Sequence, residues 1–87
     1  MSDFTFELDK FAEKEFYKVV NYYKQFDQEL SSDFIKEFDQ SVEQLLAFPK
    51  AGNPYLHNTR RVLLNRFPYA IVYKVYDSNV IVAHAVM

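Results

Sequence analysis

Five cations in one acid-free stretch are the first residues of this chain that could do chemistry. Between Lys50 and Lys74 stand Arg60, Arg61 and Arg66, with no Asp or Glu anywhere in the segment. Such a run can hold a phosphate or an acidic partner, which makes Arg60, Arg61, Arg66 and Lys74 the candidate target- or phosphate-binding set. Metal-free cleavage of RNA would need more: a base for the 2′-hydroxyl, cations on the phosphate and an acid for the leaving oxygen. The candidate catalytic residues are Arg61, Arg66 and His84. His84 lies in a Val-Ala-His-Ala-Val run, where a histidine is more often a satisfied sheet residue, and arginines on an edge strand commonly serve only to discourage edge pairing.

Other chemistries find no residues here. Glu13 and Glu15, or Glu37 and Asp39, stand two apart on helical segments and so do not face one another. Cysteine is absent, His57 and His84 are the only histidines, and no glycine-rich phosphate loop or His-Glu-x-x-His motif occurs. Neither a metal nor a cofactor is expected. The net charge of −2 and pI near 5.6 predict weak nucleic-acid binding by the chain alone, because phosphate neutralisation needs a basic field. No basic start leads into an apolar stretch, and the longest apolar run, Val80 to Ala83, is far too short for a membrane span. A cytoplasmic protein is expected.

Those residues must be positioned by a small scaffold, since 87 residues allow one domain and one core. Nine Phe and seven Tyr supply large rings to fill it. Phe4 to Leu8 alternates with the period of a half-buried strand. Asp9 can then cap a helix to about Phe26, with Ala12, Phe16, Val19, Val20, Tyr23 and Phe26 on one stripe. A break from Asp27 to Ser32 offers Ser31 or Ser32 as the next cap. The second helix carries Phe34, Ile35, Phe38, Val42, Leu45 and Leu46 inward and stops at Phe48-Pro49.

Residues 50–59 read as a loop anchored by Tyr55, Leu56 and His57. Arg60 to Arg66, Tyr69 to Tyr76 and Val80 to Met87 read as strands joined by short turns. The expectation is an α+β fold ordered β-α-α-β-β-β, with a helical hairpin packed on one face of a mainly antiparallel four-stranded sheet. Tyr73 and Tyr76 should point to opposite faces, one of them into the core. The last strand, almost wholly apolar, should be buried on both faces.

The segment from Arg61 to Val75, a basic strand running into Phe67-Pro68-Tyr69 and then an alternating strand with Tyr73-Lys74-Val75, resembles the ParE/RelE toxins of type II toxin–antitoxin systems. The Asn21-Tyr22-Tyr23 triplet and the Leu45-Leu46-Ala47-Phe48-Pro49 helix stop before Gly52 are similar to that family too. The resemblance marks Phe67, Pro68, Tyr69 and Tyr73 as family-motif positions. It implies a cognate antitoxin as partner, and as target either DNA gyrase, bound in the ParE manner, or the ribosome and its mRNA, cleaved in the RelE manner. A non-toxic member that only binds antitoxin is the third possibility. Relatives usually continue beyond the last strand into a His-, Arg- and Pro-containing segment, whereas this sequence stops at Val86-Met87. The nuclease roles carried by that segment have no matching positions here, so this form is expected to bind antitoxin and to be weakly toxic at most.

Overall fold

The computed structural model describes residues 3–87. In β1 (Thr5–Leu8), Phe6 and Leu8 turn inward while Thr5 and Glu7 stay exposed. Asp9 ends the strand in extended geometry, and its Oδ1 accepts the Ala12 N–H at 2.8 Å, capping α1 (Lys10–Lys24). One otherwise unpaired donor of the first turn is thereby satisfied. Phe26, expected on the inward stripe, falls beyond the end of α1 and is 68% exposed.

The second cap differs from the sequence expectation. Asp27 caps α2 (Gln28–Ala47) by accepting the Glu29 N–H at 2.9 Å. Ser31 and Ser32 lie inside the helix, with their hydroxyls bonded back to the Gln28 carbonyl. A carboxylate also complements the positive end of the helix dipole, which a serine cannot do, so the helix starts earlier and only residues 25–27 separate the two helices. Pro49 follows the last turn and cannot continue it.

The sheet has five strands in the order β1-β5-β4-β3-β2, with β3 at Arg60–Leu63, β4 at Ala70–Tyr76 and β5 at Val80–Val86. The strand missing from the four-stranded expectation is β2, Asn53–Pro54, which pairs antiparallel with Arg61 and Arg60. Two residues carry no alternation to recognise, and a proline in a strand is tolerated at a sheet edge such as this one. β3, β4 and β5 pair antiparallel, whereas β1 joins β5 in parallel, Thr5 opposite Val80 through Leu8 opposite Ala83. A one-turn 3₁₀ helix, Leu56–Asn58, links β2 to β3, and its Leu56 is 62% exposed instead of anchoring the loop.

Both helices cover one face of the sheet. Ala12 and Val19 of α1 and Phe34, Phe38 and Leu45 of α2 pack against Ile71, Tyr73, Ile81, Ala83 and Val86. Phe34 sits among rings, with Phe67 at 5.4 Å, Phe16 at 5.8 Å, Tyr69 at 5.9 Å and Tyr23 at 6.0 Å between centroids. The Phe67-Pro68-Tyr69 joint therefore inserts two of its rings into the core. Contrary to expectation, β5 is not buried on both faces. Ile81 and Ala83 are inaccessible, while Val80, Val82 and His84 are only half-buried, because among the described residues no second layer lies over the far side. No helix of the described residues is long and apolar enough to cross a membrane.

Tyr73 resolves the alternation in favour of the core: it is fully buried, whereas Tyr76 is 38% exposed. Its hydroxyl accepts the Gly52 N–H at 3.0 Å and donates to the Pro49 carbonyl at 2.8 Å. Burial pushes the Tyr73 hydroxyl up from its ordinary range, with the Gly52 N–H and Arg60 opposing it, so it stays a neutral donor. A Cβ on Gly52 would meet Tyr73 Oη at 2.7 Å and Cε1 at 2.9 Å, so only glycine fits. Tyr73→Phe should cost about 1–3 kcal/mol, the range for leaving buried partners unsatisfied. Gly52→Ala should destabilise by a similar amount, about 1–3 kcal/mol for overpacking. Both are read from urea unfolding midpoints, and unchanged midpoints would show that this contact does not hold the 49–52 segment.

Candidate functional site

Strand alternation sorts the polar candidates before any side-chain contact is considered. Val62, Ile71, Tyr73, Ile81 and Ala83 face the helices. Their neighbours Arg61 on β3, Val72, Lys74 and Tyr76 on β4, and Val80 and Val82 on β5 therefore share the face without helices. Arg61 stands opposite Val72, and Lys74 is the next residue along β4 on that face.

The four candidate cations separate into two pairs. Arg60 Nη1 donates to the Gly52 carbonyl at 2.8 Å and the Lys50 carbonyl at 3.2 Å, tying the loop that Tyr73 also holds. Arg66, beyond β3, meets Asp33 of α2 at 3.5 Å and lies 5.7 Å from the Phe67 ring. Its own N–H donates to Glu37 Oε1 at 3.0 Å. Arg61 and Lys74 remain on the open face, each over a tyrosine: the Arg61 guanidinium carbon is 4.8 Å from the Tyr55 ring centre, and Lys74 Nζ is 5.4 Å from that of Tyr76. Such contacts are worth about 0.5–1 kcal/mol at exposed positions. They hold the long side chains flat against the sheet with their charges open to a partner.

His84 joins this face through an irregularity. The β4–β5 register slips between Val72, opposite Ala85, and Tyr73, opposite Ala83, which leaves His84 without a partner on β4. A bulge of this kind re-aims a side chain. His84 Nε2 lies 3.0 Å from Tyr76 Oη, and Nδ1 lies 2.7 Å from Asp9 Oδ2. Partial burial would by itself raise the Asp9 carboxyl. The Ala12 N–H and the His84 ring outweigh it and hold the group below the usual carboxylate value. One carboxylate thus caps α1 with one oxygen and orients the histidine with the other. A groove of about 420 Å³ runs beside them, lined by His57, Thr59, Lys74, Tyr76 and His84 among others.

His57 reaches that groove from the 3₁₀ turn, where it and Asn58 adopt left-handed backbone, φ 56° and 61°. The motif residues Phe67 and Tyr73 are buried and Tyr69 is half-buried, so their role in this structure is packing. Sequence reasoning singled out Arg61, Lys74 and His84, which do converge on one face. It missed the grouping of His84 with Tyr76 and Asp9; period-two alternation relates Tyr76 to Lys74, but nothing local announces the bulge. Among the described residues no three His, Asp or Glu gather as a metal set.

A second surface lies along α1. Phe11 is 59% and Tyr22 50% exposed, and with Lys14, Lys18, Tyr69 and Met87 they border a groove of about 620 Å³. Glu15 closes its floor by accepting the Val86 N–H at 2.9 Å.

The family profile described as the ParE toxin of the type II toxin-antitoxin system parDE matches residues 6–87. Among solved structures, a chain of the chromosomal ParDE TA system from P. aeruginosa is similar with a TM-score of 0.81 at 17% identity, covering 95% of this chain and 92% of that one. A chain of the intact E. coli RelBE toxin-antitoxin complex is similar with a TM-score of 0.63 at 17% identity, covering 95% and 93%. At such identity both report the shared fold. No curated protein matches the chain.

The doubly used Asp9 carboxylate makes acid stability testable. Because its folded value is depressed, its contribution is present above the unfolded value near 4 and is lost as pH falls through the lower folded value. Asp9→Ala should cost about 1 kcal/mol near neutrality through the lost cap. Asp9→Asn should keep the cap and flatten the stability curve as pH falls below about 4. Urea midpoints across that range check both, and a wild-type curve with the same slope as Asp9→Asn would contradict the assignment.

Proposed function

The chain belongs to the ParE toxin family of type II toxin–antitoxin systems, and from that premise we propose, in place of the weak toxicity expected from the sequence, that it arrests growth by binding DNA gyrase through the open sheet face while an antitoxin holds it in check. The observation that carries this reading is how the cations are used. Arg60 and Arg66 are engaged by the protein's own carbonyls and Asp33, and the two that stay open, Arg61 and Lys74, lie on tyrosine rings in a chain of net charge −2. Gripping an RNA backbone favours a denser basic field. Paired cation and aromatic contacts suit a protein partner, since arginine and tyrosine are enriched where such interfaces concentrate their binding energy.

RNA cleavage on the ribosome, which the sequence resemblance to RelE toxins implies, is the second reading, with Arg61 and His84 as the residues to test. For the antitoxin, the α1 groove offers aromatic area at low entropic cost and two lysines for an acidic segment.

Purified protein is expected to inhibit gyrase supercoiling and to leave cell-free translation intact. Arg61→Gln combined with Lys74→Gln should raise the concentration for half-inhibition by about tenfold or more, equivalent to at least about 1.4 kcal/mol, while Arg66→Gln changes it little. Arrested translation with cleaved mRNA and normal supercoiling would replace this reading with the ribonuclease one. Tyr22→Asp should weaken capture of the adjacent gene's antitoxin in a micromolar titration and leave supercoiling inhibition in place.

A further inference from the structure

The outer faces of the two helices carry opposite charge. On α1, Lys10, Lys14, Lys18 and Lys24 stand against Glu13 and Glu15, whereas on α2 Glu29, Asp33, Glu37, Asp39 and Glu43 stand against Lys36 alone. Three of those carboxylates are engaged at the helix flanks: Glu15 accepts the Val86 N–H, Glu37 accepts the Arg66 N–H, and Asp33 meets the Arg66 guanidinium. The remaining charges are exposed, and among the described residues none of them has an ion pair of its own. Bulk divides in the same way. Tyr17 stands out from α1 at 57% exposure, while α2 exposes no large apolar side chain and has Ser32 and Ala47 on its outer face.

Ring contacts show how the two faces line up. Phe16 of α1 meets Phe34 and Phe38 of α2 at 5.8 and 4.7 Å between centroids, and Tyr23, two turns later on α1, meets Phe34 at 6.0 Å. The helices are therefore antiparallel, and equal steps in opposite directions set the levels along them. To within a turn, Lys10 is level with Glu43, Lys14 with Asp39, Tyr17 with Lys36 and Lys24 with Glu29. Glu13 falls level with the uncharged Gln40.

We propose that two copies of the free chain pair through these faces, α1 of each lying on α2 of the other. A two-fold axis parallel to the helices keeps every residue at its own level and carries α1 of the second copy over α2 of the first. Lys10, Lys14 and Lys24 then face Glu43, Asp39 and Glu29 of the second copy, the Tyr17 ring faces its Lys36, and symmetry repeats each contact. An axis across the helices would lay α1 on α1 and α2 on α2, with like charges opposed, so charge selects the first arrangement. Its four helices are antiparallel to their neighbours, with the two sheets outside. An anionic lipid surface or a nucleic acid would meet the carboxylates of α2 together with the lysines of α1, whereas a second copy complements both. The open sheet face stays free in this dimer, which does not depend on the reading of gyrase as target.

Sedimentation velocity of the antitoxin-free chain is the test. A monomer–dimer equilibrium is expected, weakened about tenfold or more as salt rises from about 0.05 M to about 0.5 M. Lys10→Glu with Lys14→Glu in one chain, or Asp39→Lys with Glu43→Lys in another, should each abolish the homodimer, all four positions being exposed. Mixed, the two variant chains should form a heterodimer, because each reversed helix then finds its complement. Amide resonances of the undivided wild-type sample, followed on dilution, should move at Tyr17 and Asp39 and stay fixed at Arg61 and Lys74, which needs no variant to fold. A wild-type chain that remains monomeric at about 1 mM in low salt would overturn the proposal. So would dimerisation of either variant alone as strong as wild type, variants folded by circular dichroism that fail to pair on mixing, or dilution shifts confined to the open face.

Discussion

The pairing of the first strand with the last is the constraint from which the rest follows. β1 has no partner other than β5, which it meets in parallel after the whole intervening chain has been placed. A parallel pair cannot be made by a tight turn and needs a crossover, here supplied by both helices and the β2–β4 meander. With β1 seated on one side of β5 and β4 on the other, Ile81 and Ala83 are fully enclosed, and α1 must leave from Asp9 directly over the sheet. Asp9 N–H donating to the Ala83 carbonyl at 3.0 Å marks the point of departure. The helix cap, the bulge and the orientation of His84 are all set within a few ångströms of that junction.

A two-layer arrangement also dictates where function can reside. The helices cover one face, so polar residues that alternate out of phase with the core are delivered to the other. An acidic protein thereby presents a small basic and aromatic surface. Its carboxylates lie mostly on the helices, and Arg61 and Lys74 stand away from them on the sheet. The two other cations stabilise the frame: Arg60 fastens the segment before β2, and Arg66 binds the turn before β4 to α2. Local basicity at fixed net charge is a matter of topology here, not of composition.

Most of the frame was legible in the sequence because it rests on local rules. A period-two run marked β1, apolar, β-branched and aromatic runs between turns marked β3, β4 and β5, and three- and four-residue spacing marked the helices. Tyr73 and Tyr76 separated by parity. The errors lie where two local rules compete or where pairing is purely tertiary. Asp27 and the serines after it could each cap α2, and the helix dipole decided. β2 is a strand only because Arg60 and Arg61 pair with it. The bulge at His84 depends on how β5 meets β4, and with it the contact of His84 to Asp9 across 75 positions of sequence separation. Conversely, the run of apolar residues in β5 suggested two buried faces, but a strand of valine, isoleucine and alanine is also compatible with one face left open when no second layer exists.

Site-specific photo-crosslinking in reconstituted mixtures reads whether the open sheet face is where the toxin would meet gyrase. One crosslinker replaces Leu63, which is 64% exposed on the open face, and another replaces Lys36, exposed on α2. Gyrase adducts that form from position 63 and are absent from position 36 are the expected result. Adducts from position 36 alone, or adducts to ribosomal components in place of gyrase from position 63, would contradict the account.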